Sequence, residues 1–269
     1  MRSHLKLAII ALCLVNVNCK EQPKEAIKGN GGEQVELEND ADNVDVIVKR
    51  AVEAHGGPLY DTAHYQFVFR NKLYTFNNKK GYTYTVHFID SIGNRTADYL
   101  INGTLERTIN EKAVALSKKD IAKYSNALNS VIYFATLPHK LLDSAVIKEH
   151  VGHAIIKEEQ YDVVKVTFEQ KGGGEDFDDI FMYWINKNSH YIDYLAYSYN
   201  VNGGGVRFRS AYNPRTVDGI RFQDYINWEA PVGTSLIALP ALFEKGTLKE
   251  LSRIETEDVQ NLDAKDTVD

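Results

Sequence analysis

The densest grouping of oxygen ligands in the chain is Glu175, Asp176, Asp178 and Asp179, set directly behind the glycines at 172–174. Carboxylates crowded after a flexible turn have the composition of a calcium site. The ligand spacing of an EF-hand loop is missing, however, and a solvated hairpin tip is expected. His150 and His153 stand three apart, a spacing that brings two imidazoles together on a helix. Val146, Lys148 and His150 alternate with Ile147 and Glu149 as in a strand, so the two rings are expected on opposite faces and no metal site is predicted. Asp224 lies in IRFQDYINW at 220–228, where it shares a period-2 face with Ile220, Phe222, Ile226 and Trp228. A carboxylate on that apolar side must be paired or protonated. Arg207 and Arg209 are its candidate partners, and a structural ion pair is preferred to a ligand-headgroup contact or to acid–base chemistry. No Ser-His-Asp arrangement, catalytic carboxylate pair or Gly-rich phosphate loop can be read from the spacing, so neither catalytic residues nor a cofactor are expected.

The two cysteines point outward from the cytoplasm. Residues 1–18 begin with Arg2 and Lys6 and continue through LAIIALCLVNV, an apolar run about half the ~20 residues a spanning helix needs, which reads as a signal peptide. A Cys at the end of that run, followed by KEQPKE, resembles the lipobox of bacterial lipoproteins. Cys19 is the expected lipidation site, and Cys13 falls in the removed segment. A mature chain of this kind has no thiol or disulfide chemistry. Residues 19–41 are then a lipidated Cys with a disordered tether, since KEQPKEAIKGNGGEQVELENDA has too little apolar surface to fold.

Charge narrows the partners. The formal net charge is -6, but residues 20–45 carry three Lys against eight Asp or Glu, and residues 255–269 carry one Lys against six. The acidity therefore sits at the two ends, and the body between them has no basic stripe to bind nucleic acid. Sixteen Tyr and eleven Phe with six Pro favour β structure.

The elements that must position any site follow from periodicity. Asp42 or Asn43 caps a helix with Val44, Ile47, Val48, Ala51 and Val52 on one stripe, ended by Gly56 and Gly57. His55 sits at its C-terminus, where the helix dipole favours a cation. Short strands alternate with turns from Tyr65 to Ser117. Ser117 and Asp120 form a capping box for a second helix with Ile121, Tyr124, Leu128, Val131, Ile132 and Ala135 on its apolar stripe. Strands resume at Ala145. The strand ending at Asn200 has large residues on both faces, so it should be covered on both sides. The apolar stretch from Leu236 to Phe243, broken by Pro240, is either a lid at a cavity mouth or a plug.

AVEAHGG at 51–57, LPHKLLD at 137–143, GGGEDFDDIFMYWI at 172–185 and DGIRFQDYINW at 218–228 together resemble a family of bacterial lipoproteins of unknown role, related in fold to the LolA/LolB outer-membrane lipoprotein carriers. The likeness spans most of residues 44–257. It implies a mainly β protein with two helices: a strongly curved antiparallel sheet, an unclosed barrel, with helices over the concave face and an apolar cavity between. It also implies a β domain at 42–258, an acidic disordered tail at 259–269, and no catalytic residues. The residues expected to face a ligand are Tyr84, Trp184, Tyr197, Phe208, Phe222, Asp224, Trp228, Leu239 and Phe243. The expected role is that of a monomeric outer-membrane lipoprotein, facing periplasm or cell surface, that binds a lipid chain or apolar small molecule without chemistry. An envelope interaction module without a ligand, and a hydrolase with a dispersed site, are the alternatives.

Overall fold

The computed structural model describes residues 43–169, 179–200 and 203–264. Asn43 opens the first helix, α1 (Val44–His55), its side chain accepting from the amides of Asp45 at 3.0 Å and Val46 at 3.4 Å. The helix stops at Gly56, whose φ of +136° no other residue adopts comfortably and where a Cβ would meet Ile220 at 3.1 Å. A short 3₁₀ helix at Gly57–Thr62 then buries Tyr60.

Six strands follow as a meander: β1 (His64–Phe69), β2 (Lys72–Asn77), β3 (Thr83–Ile89), β4 (Arg95–Ile101), β5 (Thr104–Ile109) and β6 (Lys112–Ala113). Ser117 caps the second helix, α2 (Lys118–Ala135), by accepting from the Asp120 amide at 3.1 Å. Beyond it come β7 (Val146–Ile156), β8 (Glu159–Phe168), β9 (Ile180–Asn186), β10 (Ile192–Tyr199), β11 (Gly205–Val217) and β12 (Ile220–Ala230). A short helix α3 (Leu239–Glu244), then β13 (Lys249–Ile254) and β14 (Glu257–Asn261), complete the chain.

The strands pair into two seven-stranded antiparallel sheets, ordered β14-β1-β2-β3-β4-β5-β6 and β13-β12-β11-β10-β9-β8-β7. Glu255 and Thr256 carry the chain from one sheet to the other. At the far ends β6 and β7 do not pair, so the fold is mainly β, antiparallel and not closed into a barrel. Strand β14 runs three residues into the segment expected as a tail, and Asp263 beyond it meets Lys79 at 2.6 Å. Among the described residues no helix is long and apolar enough to cross a membrane.

Helix α2 crosses the space between the sheets. Leu128 and Ile132 enter the core of the first sheet, with Phe67, Tyr84 and Phe222. Tyr133 and Phe134 pack on the second sheet, where the Tyr133 hydroxyl lies 2.9 Å from that of Tyr183. Ile121, expected on the apolar stripe, is exposed. The second sheet is covered on both faces, as the heavy strand near Asn200 requires. Ile47, Val48, Ala51 and Val52 of α1 cover one face, and Leu236 and Leu239 cover the other.

Of five register shifts among the described strand pairs, three redirect side chains that strict alternation would place elsewhere. One between His150 and Gly152 puts His150 and His153 on the same face, with ring centroids 5.0 Å apart, correcting their expected separation. One between Ile192 and Tyr194 sends Ile192 to the side of Leu195 rather than that of Tyr194. The third, between Tyr212 and Arg215, decides the partner of Asp224. The signal segment, Cys19, the tether to 41, and Glu175, Asp176 and Asp178 lie outside the described residues.

Candidate functional site

A cavity of about 360 Å³ lies where α2 passes between the two sheets. Phe67 and Phe69 of β1 form one wall, and Val131, Phe134 and Ala135 of α2 form the roof. The second sheet supplies Phe181, Tyr197, Arg209, Gln223, Tyr225 and Asn227. Arg70 and Asp179 also line it. The volume falls in the range of small-molecule pockets, ~300–1,000 Å³, and the mixture of aromatic rings with a few polar groups is typical of them.

Arg209 is the unusual member. It is 7% exposed. Its Nη2 donates to the Tyr197 hydroxyl at 2.9 Å, and its guanidinium carbon lies 4.0 Å over the Phe134 ring. Its Nε has no hydrogen-bond partner, and among the described residues it pairs with no carboxylate. Asn227, its cross-strand neighbour, donates to Ser252 at 3.3 Å while its Oδ1 is buried without a partner. A donor and an acceptor thus stand unsatisfied side by side in an aromatic wall. Burial pushes the Tyr225 hydroxyl up to about 12, and Tyr183 behind it is raised well above the usual range for the same reason, so both remain neutral phenols near pH 7. Gln223 donates to the Tyr225 oxygen at 2.7 Å.

The ligand residues expected from sequence do not form one constellation. Tyr197 lines the cavity. Tyr84 and Phe222 are 1% exposed in the core beneath the first sheet. Trp184, Phe208, Trp228, Leu239 and Phe243 gather on the opposite face of the second sheet, where Phe243 meets Phe208 at 5.3 Å and Trp228 at 5.5 Å. The lid reading of Leu236 to Phe243 is corrected accordingly: the segment plugs the outer side of the sheet, because Phe208 and Trp228 alternate with the cavity residues Arg209 and Asn227. Sequence reasoning missed Arg209, Phe134, Phe181 and Tyr225 as cavity residues. The alternation of Arg209 with Phe208 was a readable signal, but the elements covering each face were not.

Asp224 is 3% exposed and ion-paired, though to Arg215 at 3.1 Å rather than to Arg207 or Arg209. Asn213 donates to its other oxygen at 2.7 Å, and the Thr256 amide and hydroxyl donate at 2.9 and 3.2 Å. Arg215 also donates to the Thr256 hydroxyl at 2.6 Å and to the Thr256 carbonyl. The bulge after Tyr212 swings Arg215 onto the carboxylate, while Arg207 is directed to the Tyr199 hydroxyl at 2.8 Å. The network clamps the crossover between the sheets. His55, expected as a helix-end cation, is instead buried. Its Nδ1 lies 2.8 Å from the Ala51 carbonyl, and burial lowers its pKa to about 4, so it is neutral at pH 7.

Residues 52–256 match a family of unknown function, DUF6503, and the chain belongs to that family. No curated protein matches the chain. Among solved structures it is similar to a LolA superfamily protein from Nitrosomonas europaea, at 13% identity over 83% of this chain and 95% of that one, with a TM-score of 0.48. It is also similar to a DUF1329 family protein from Desulfovibrio piger, at 11% identity over 84% and 96%, with a TM-score of 0.39. A third likeness is to the lipoprotein LppX from Mycobacterium tuberculosis, at 9% identity over 60% and 91%, with a TM-score of 0.28.

Proposed function

We propose that this DUF6503 protein is a monomeric, lipid-anchored binding protein of the bacterial outer membrane that holds an anionic single-chain amphiphile in the cavity beneath α2 without transforming it. The observation that carries the reading is the buried Arg209 guanidinium, set in aromatic walls and paired with no carboxylate among the described residues. Leaving a buried charge unpaired costs several kcal/mol, and a ligand carboxylate or phosphate accepting a charge-assisted hydrogen bond from Nε would relieve that cost. Phe67, Phe134, Phe181 and Tyr197 would take the apolar chain. Cys19 would carry the anchor, and the tether would hold the cavity away from the bilayer on either side of the membrane.

The test is isothermal titration of the full chain carrying Cys19→Ala, prepared without detergent, with decanoate, decyl phosphate and decanol. Both anions should bind at least tenfold more tightly than the alcohol, about 1.4 kcal/mol, and Arg209→Met should remove that preference while leaving a weaker, charge-independent affinity. Equal affinities for acid and alcohol would overturn the headgroup assignment. Failure of all three to bind would overturn the cavity reading.

A further inference from the structure

We propose that His150, His153 and Asp162 form a binding site for a divalent transition metal of the zinc class, on the edge strand of the second sheet and apart from the cavity. Val151 is the extra residue of the β7 bulge: His150 stands opposite Val164, Gly152 opposite Val163, and His153 opposite Asp162. Gly152 adopts a φ of +120°, the left-handed region in which a side chain would be strained. The bulge cancels the half-turn that three strand residues would otherwise impose, and both imidazoles face the Asp162 carboxylate.

The three residues converge on one point. Asp162 Oδ1 lies 2.9 Å from His153 Nδ1 and 3.5 Å from His150 Nε2. One ligand atom from each residue can be chosen so that all lie within 4.8 Å of one another. His150 Nε2 and Asp162 Oδ1 are both buried, yet neither makes a hydrogen bond among the described residues. The approaches are therefore close without being aligned for proton sharing, and a cation at their centre would satisfy both atoms together. Two imidazole nitrogens and one carboxylate oxygen suit zinc and its first-row neighbours, and leave a coordination position free. The His153 side chain is 48% exposed, so the site has a path from solvent.

A cation is already drawn there. The Lys187 ammonium, on the turn between β9 and β10, lies 3.6 Å from Asp162 Oδ1 and 3.5 Å from His153 Nδ1. Its side chain is 34% exposed and can withdraw into solvent. Lys187 is thus a competitor for the metal position, and the site differs from a simple charge cluster in what its removal should do.

The experiment is titration of the full-length protein, first stripped with a chelator, with zinc chloride alone, followed by calorimetry and thermal unfolding. One zinc per chain should bind saturably and raise the melting temperature, because a metal that binds only the native state stabilises it. His153→Ala and His150→Ala should each weaken binding at least tenfold and abolish the thermal shift, whereas Lys187→Met should bind at least as tightly as the parent. Asp162 is buried and Asp162→Asn can disturb the fold; the exposed His153 keeps the test decisive. The proposal is overturned by absence of saturable binding, by affinity unchanged in the His150→Ala/His153→Ala double variant, or by Lys187→Met weakening the site.

Discussion

Asp224→Asn measures how strongly the two sheets are clamped to each other. The substitution keeps the shape and removes the charge, so its cost can be worked from the contacts. Oδ1 receives Arg215 at 3.1 Å, the Thr256 amide at 2.9 Å and the Thr256 hydroxyl at 3.2 Å, and Oδ2 receives Asn213 at 2.7 Å. An asparagine oxygen at the Oδ1 position keeps three acceptor contacts, and Asn213 can turn its own amide to face the new NH₂. What cannot be recovered is charge assistance, about 1 kcal/mol for each of the strongest bonds, and the counter-ion of an Arg215 side chain that is 27% exposed. Removing one partner of a buried pair costs ~3–5 kcal/mol, and the partial exposure of Arg215 selects the lower end, about 3 kcal/mol. For a domain of this size that corresponds to about 6–12 °C in melting temperature. Urea unfolding gives the free energy, and a double-mutant cycle with Arg215→Met should show a coupling of at least about 1 kcal/mol. Hydrogen exchange should quicken first at the Thr256 amide and in β14. A loss within about 0.5 kcal/mol, or two substitutions that simply add, would refute the clamp.

Three further outcomes are expected. Leu239→Ser with Phe243→Ser should lower stability by at least about 4 kcal/mol, as for truncated core side chains, while the molecules that remain folded bind decanoate as before; loss of binding with stability intact would restore the lid. The His55 pKa is depressed in the fold to about 4 from an ordinary value of 6.5, so its contribution is fully present above pH 6.5 and is lost as the pH falls toward 4. That amounts to about 3 kcal/mol, and urea midpoints of His55→Gln should lack this part of the slope. Cys19→Ala should move the protein from the detergent to the aqueous phase with its circular dichroism unchanged, and a wild-type chain that takes up no alkyne fatty acid in the cell would remove the anchor.

Helix caps and alternation were legible because they are local. Asn43, Ser117 and Gly56 act through backbone groups within four residues of themselves, and Tyr84, Val86 and Phe88 face one way because nothing interrupts β3. What could not be read were the bulges, since an extra residue is accommodated by the partner strand as much as by its own sequence. Gly152 and the Asn213-Pro214 pair are local hints, because glycine and proline within strands gather at bulges; Ile192 offers no comparable mark. The bulges after Tyr212 and His150 bring charged groups together, and the results differ in a way that bears on function. After Tyr212 the bulge gives Asp224 four donors, so the network is saturated and structural. After His150 it leaves His150 Nε2 and Asp162 Oδ1 buried and unsatisfied, as Arg209 Nε is in the cavity. Buried polar atoms that the chain satisfies hold the fold together, and those that it orients and leaves open are where another molecule can add free energy. Arg209 adds to such an atom a cavity, and the His150–His153–Asp162 group adds converging ligand atoms, so these are places to look for ligands, and Asp224, the carboxylate most conspicuous in the sequence, is not.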